Sequence, residues 1–319
     1  MSKVFEALQR LERETGSPSS GILVEAQRIL SSGPPILHEA PSMETATEPE
    51  REPPAPNPKA AEAPEVTGAP EVAEALNFGT VPIEYASITP ESRIIYHTEP
   101  DSPGADRFRL LRMHLWPLSE SGKLKTLLVT SAQAQDGKST IVLNLATALA
   151  EHGARKVLVI EGDLHHPSLR SRLGHRDAVR GLAECLEDQQ NPLPFLRRIE
   201  PLSWYLLPAG VGRGNPTELL QSPFLANIFE MLRQQFDWIL VDTPPVMPLT
   251  DTLSLRPHAE ACLMVMRAGC TPKSLVDAAI KRVGTQHIVG LVLNGAEEVD
   301  RLYSGYHKSY RTSSKKVKK

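Results

Sequence analysis

Residues 126–150 read TLLVTSAQAQDGKSTIVLNLATALA. An apolar run, Leu127-Leu128-Val129, leads into a polar loop, and Gly137-Lys138-Ser139-Thr140 stands where the loop gives way to a helical repeat of Ile141, Leu145, Ala148 and Leu149. Strand, tight loop and helix in that order form the layout of a phosphate-binding loop. A helix N-terminus carries unpaired N–H groups and the positive end of the helix dipole, so an anion is stabilised there. Gly137 permits close backbone approach, and the amides of Gln135 and Asp136 complete the cradle. Lys138 is suited to the β- and γ-phosphates, Ser139 to a Mg²⁺ shell, and Thr140 to the α-phosphate side. The full motif has a further Gly where this chain has Ala132.

Working outward, Lys156–Gly162 (KVLVIEG) reads as a second buried strand whose end carries Glu161 and Asp163, and Asp237–Asp242 (DWILVD) as another ending in Asp242. Ligands of open α/β sheets bind at the carboxyl ends of strands, which makes these three acids candidates for metal and proton chemistry. Asp163 also suits a local turn cap. Further strands are expected at 204–208, 261–267 and 288–293, with helices at 104–115, 181–188, from Asn215-Pro216, at 223–235 and at 273–283. The alternation predicts an α/β domain over 82–298 with a mostly parallel, doubly wound sheet of the P-loop NTPase type.

The flanks differ. Residues 1–32 are expected to be helical, with Val4, Phe5, Leu8 and Leu11 on one stripe. Residues 33–81 are rich in Pro, Glu and Ala and predict a disordered tether, because so few apolar side chains cannot offset the entropy of ordering. Residues 299–319 are expected to be a flexible basic tail bearing Tyr303, Tyr306 and Tyr310.

With 319 residues, 40% of them hydrophobic, and a formal net charge of −3, the chain shows no general attraction to nucleic acid. Its three cysteines, Cys185, Cys262 and Cys270, lack metal-ligand spacing. No apolar run approaches the roughly 18 residues of a membrane helix. The expectation is a cytoplasmic protein that reaches the inner face of the membrane only through a partner.

Taken together, SAQAQDGKST, VLVIEGDLHHP, ILVDTPP, NPTELL, VLNG and the tyrosine-bearing tail resemble a bacterial tyrosine kinase of the capsular and exopolysaccharide biosynthesis family, soluble type. The three first motifs stand in the positions of the family's Walker A, A′ and B. Asp106, Arg109 and Arg112 resemble the Glu-x-x-Arg-x-x-Arg helix through which such kinases form ring-like homo-oligomers. The resemblance implies an ATP- and Mg²⁺-dependent autokinase that phosphorylates the tail of a neighbouring copy and regulates polysaccharide synthesis and export. It also implies a membrane co-polymerase or adaptor as activating partner. The implied roles are Lys138 and the loop amides on the phosphates, Ser139, Asp163 and Asp242 on the metal, Glu161 as proton acceptor, and the three tail tyrosines as phosphoacceptors. The family usually has Asp where this chain has Glu161, and Arg where it has His165. Two other readings stay open: a nucleotide-binding scaffold without phosphoryl transfer, and a partitioning ATPase of the ParA/MinD type. The latter carries a signature Lys where Gln133 stands here.

Overall fold

The computed structural model describes residues 77–296, apart from residue 249 and the side chain of residue 152. The expected N-terminal helix, residues 33–76 of the expected tether and the tyrosine tail lie outside the described residues; the tether's last five residues are described, with Phe78–Thr80 in a 3₁₀ turn and Val81 buried.

The strands are β1 Ile83–Tyr85, β2 Thr126–Ser131, β3 Val157–Glu161, β4 Arg197–Glu200, β5 Trp204–Leu207, β6 Trp238–Asp242, β7 Ala261–Arg267 and β8 Ile288–Asn294. Among the helices, α1 is Ile95–Thr98, α2 Pro103–Glu120, α3 Lys138–Leu149, α4 Leu169–Arg172, α5 Leu182–Glu187, α6 Pro216–Leu220, α7 Phe224–Gln235, α8 Asp251–Leu255 and α9 Lys273–Val283. The strands make one sheet in the order β1-β4-β5-β3-β6-β2-β7-β8. Every pairing is parallel except β4 with β5.

Strands β2, β3 and β6 are buried along their whole length, as expected where helices cover both faces. Successive residues serve opposite layers. Leu128, Leu158, Ile160 and Val241 pack with Phe229 and Leu232 of α7 and Ile280 of α9. Leu127, Val129, Val159 and Leu240 pack instead with Phe108, Leu111 and Leu115 of α2 and Ile141 and Leu145 of α3. The doubly wound architecture follows from this two-sided burial.

Two strands escape the sequence expectation. In β1 and β4 hardly any side chain is both apolar and buried, Ile199 being the exception, so no alternation announces them. They are held by long-range ion pairs: Glu84 of β1 meets Arg170 at 3.1 Å and Arg197 at 3.4 Å. Helix α2 also runs on past the expected residue 115 to Glu120, through Pro117.

Candidate functional site

Register brings the expected acids together. Asp242 of β6 pairs with Glu161 of β3 on one side and with Val129 of β2 on the other, so both acids end their strands beside the loop that follows β2. That is the carboxyl edge where open α/β sheets bind ligands.

The loop is tied down from within and from the far edge. The Ser131 hydroxyl donates to the Gln133 carbonyl at 2.6 Å. Asp136 is fully buried, and its carboxylate accepts from the Thr271 hydroxyl at 2.7 Å. The Asn294 amide, at the end of β8, donates to the Asp136 carbonyl at 2.9 Å. Gly137 has a φ of 99°, and a Cβ there would lie 2.0 Å from Asn294 Nδ2, so no larger residue fits. Gln135 takes a φ of 66°, a left-handed conformation that a side chain makes costly. Gly137 caps α3 without any side-chain hydrogen bond to its first amides, which keeps those donors available to a ligand. Lys138, 8% exposed, opens the helix.

Asp242 is 2% exposed, and its Oδ1 has no hydrogen-bond partner. Burial raises its pKa to about 7, with the nearby carboxylates of Glu161 and Asp163 pushing the same way and Lys138 and the Ser139 hydroxyl pulling down. A buried carboxylate oxygen without a partner costs stability unless a ligand uses it.

Glu161 is differently employed. Its Oε1 accepts from the amides of Ser168 and Leu169, each at 2.6 Å, and its Oε2 from the amide of Ala209 at 3.2 Å. Burial raises its pKa against the pull of those three amides. Oε1 thus holds the loop after β3 and Oε2 the segment after β5, so the expected proton acceptor has amide partners on both oxygens. Asp163 is half-buried and makes the local turn foreseen for it, accepting from the His166 amide at 3.0 Å. His165 sits with its Nε2 3.0 Å from Asp251 Oδ2 and 3.3 Å from the Thr217 hydroxyl, which itself donates to Asp251 Oδ1 at 2.8 Å. The imidazole therefore pins the loop to α6 and α8.

The Ser168 hydroxyl donates to Ser139 Oγ at 3.3 Å, and Arg172 Nη1 to Thr140 Oγ1 at 3.5 Å. The segment Glu161 holds thus lies over the first turn of α3. Asn294, Thr271 and Arg172 were not singled out by sequence reasoning, although VLNG was noted as a motif. Among the described residues no cluster of three or more His, Cys, Asp or Glu is placed to hold a metal alone.

On α2, Arg109 donates to Asp106 and to the Pro100 carbonyl, both at 2.8 Å. Arg112 reaches the Ala148 carbonyl at 2.7 Å and Glu151 at 2.5 Å, clamping the end of α3. Within this copy both arginines already have partners. The tyrosines Tyr303, Tyr306 and Tyr310 lie outside the described residues.

A scan against protein-family models finds no match. Among curated proteins, the tyrosine-protein kinase CpsD of Streptococcus pneumoniae is 31% identical over 175 residues, covering 54% of this chain and 76% of the relative. The tyrosine-protein kinase YwqD of Bacillus subtilis is 27% identical over 219 residues, covering 68% of this chain and 92% of the relative. Among solved structures, the kinase domain of the Escherichia coli tyrosine kinase ETK aligns with a TM-score of 0.60, covering 64% of this chain and 80% of that one. At 24% identity it bears on the fold alone. No helix among the described residues is long and apolar enough to cross a membrane. With a phosphate loop beside strand-end acids and relatives of this kind, the chain belongs to the bacterial tyrosine kinases of capsule and exopolysaccharide biosynthesis, and it is a protein-tyrosine kinase.

Proposed function

We propose that the chain transfers the γ-phosphoryl group of ATP to the tyrosines of its own C-terminal tail, Tyr303, Tyr306 and Tyr310, on a neighbouring copy. The observation that carries the reading is the unpartnered, buried Oδ1 of Asp242 beside Ser139 and Lys138, at the uncapped start of α3. Mg²⁺ fits this donor set. It binds through one or two carboxylates plus substrate phosphates and not through an all-protein cage. Ser139 and Asp242 would hold it, and it would supply charge neutralisation at the transferring phosphate. Lys138 and the loop amides of Gln135, Asp136 and Gly137 bind the phosphate chain, with Thr140 on its α side.

Glu161 was first read as the proton acceptor and Asp163 as a metal ligand. With both Glu161 oxygens engaged by amides, the proton-accepting role passes to Asp163, the most exposed of the three acids. Its carboxylate takes the tyrosine hydroxyl proton, the phenolic oxygen bonds to the γ-phosphorus, and the bond to the bridging oxygen breaks with ADP leaving. Positioning and charge carry such a reaction.

We infer further that α2, with Asp106, Arg109 and Arg112, faces a neighbouring subunit in a homo-oligomer. A membrane polysaccharide co-polymerase or adaptor brings the kinase to the cytoplasmic face of the membrane. Phosphates added to the tail weaken assembly by charge. Relatives named as tyrosine kinases favour this reading over the scaffold and the partitioning ATPase.

Intact-mass analysis with Mg²⁺ and ATP tests it, using the parent, Lys138→Met and a Tyr303→Phe, Tyr306→Phe, Tyr310→Phe variant. Gains of up to three phosphates in the parent, absent from both variants, are expected. A parent that binds ATP yet gains no mass with its partner's cytosolic segment present refutes the kinase reading.

A further inference from the structure

Two arginines two residues apart behave differently. Arg170 is buried and fully engaged, with Glu84 at 3.1 Å and Asp177 at 3.3 Å. Arg172 ends α4 with a single long contact, 3.5 Å from its Nη1 to the Thr140 hydroxyl, and its Nε is buried with no partner. Among the described residues no carboxylate pairs with it. Its place is set rigidly, since Glu161 grips the amides of Ser168 and Leu169 at the start of the same turn and Ser168 rests on Ser139.

The surroundings sharpen the point. Through Thr140, a guanidinium that no carboxylate pairs with among the described residues lies against the first turn of α3, the uncapped helix end that Lys138 opens. A cation at the positive end of a helix is disfavoured unless an anion joins it there. Guanidinium groups bind phosphate oxygens through paired N–H donors, and Nε with Nη2 is one such pair, on a different edge from the Nη1 that meets Thr140.

We propose that Arg172 is a second phosphate-binding cation of this site, acting beside Lys138 and contacting the phosphate chain on the Thr140 side. The proposal rests on the nucleotide reading given above. Lys138 serves the β- and γ-phosphates from the loop, whereas Arg172 approaches from the A′ segment and serves the part that ATP and ADP share. Glu161 is then the positioning residue that delivers it. Binding of nucleotide closes the contact between the A′ segment and α3, with the anion as the missing partner of both.

Titration calorimetry on the full chain, with Mg·ATP and Mg·ADP as separate ligands, tests this in the parent, Arg172→Met and Arg172→Lys. A lost charge-assisted contact weakens binding by roughly tenfold to a hundredfold. Arg172→Met is expected to lose that much for both nucleotides, and Arg172→Lys to recover part of it. The thermal midpoint without nucleotide separates a ligand role from a structural one. Removal of an uncompensated cation leaves it unchanged or raises it, whereas loss of a structural arginine lowers it. Parent-like affinity in Arg172→Met overturns the proposal, and so does a loss confined to ATP or one that only tracks a lowered midpoint. Arg172→Gln gives a second reading of the same quantities should the methionine variant fold poorly. If the parent binds neither nucleotide, the nucleotide reading itself falls, a result distinct from failure of the arginine alone.

Discussion

Replacement of Asp242 by Asn should stabilise the metal-free, nucleotide-free protein at neutral pH while disabling it. Its carboxyl titrates at about 7 in the fold against an ordinary 3.8. Below about pH 4 the group is protonated in both folded and unfolded chains, so its full share of stability is present. Between about 4 and 7 the unfolded chain gives up the proton while the folded one keeps it, and stability falls as pH rises. Above about 7 the loss is complete. At about 1.4 kcal/mol per pH unit, the accumulated loss is on the order of 4 kcal/mol. Asn stays neutral throughout and escapes that loss, and it preserves the shape of the side chain. For a domain of this size each kcal/mol moves the midpoint by about 2–4 °C, so the variant should melt roughly 10 °C higher at pH 8 and show little advantage at pH 4. Denaturant unfolding of both proteins across pH 4–8, with chelator present, measures the difference directly. Equal stability at pH 8, or a less stable Asn variant, would refute the reasoning. The carboxylate would then have protein partners that satisfy its charge. The trade of stability for a ligand-ready charge is common at active sites.

Glu161→Gln should do the opposite. Its single carbonyl cannot serve amides on both sides, so one buried N–H meets a donor, costing about 1–3 kcal/mol. Thermal unfolding should drop by roughly 3–10 °C, together with kinase activity, and lost activity at an unchanged midpoint would restore Glu161 to proton transfer. Gln135→Gly should relieve the left-handed strain at φ 66° and raise stability by about 1 kcal/mol. Chemical denaturation checks this, a decrease showing that the Gln135 side chain makes a compensating contact.

The sheet was legible wherever burial is continuous. Strands β2, β3, β6 and β7 are apolar runs because helices cover both their faces, and the spacing of Ile141, Leu145 and Ala148 gave α3 away. Strands β1 and β4 were not legible, because what fixes them is Glu84 meeting Arg170 and Arg197 from distant parts of the chain. The same division runs through the site. Lys138, Ser139 and Asp242 announce themselves by local pattern. Glu161 does not reveal its employment, since a carboxylate at a strand end reads alike whether it faces a ligand or backbone amides. Thr271 and Asn294 reach Asp136 across 135 and 158 residues, and no local pattern records such a hydrogen bond.

The hydrogen bond from Asn294 to Asp136 joins the phosphate loop to the end of β8, five residues before the tail at 299–319 begins. Tyr303 follows Asn294 by nine residues, a contour of at most about 30 Å. In the proposed transfer between copies, that contour bounds how far the first acceptor lies from Asn294 of its own copy, so the phosphate loop of a neighbour has to come within that reach. Phosphorylation then follows how many copies are assembled and falls on dilution, whereas a tail reacting with its own loop would be indifferent to dilution.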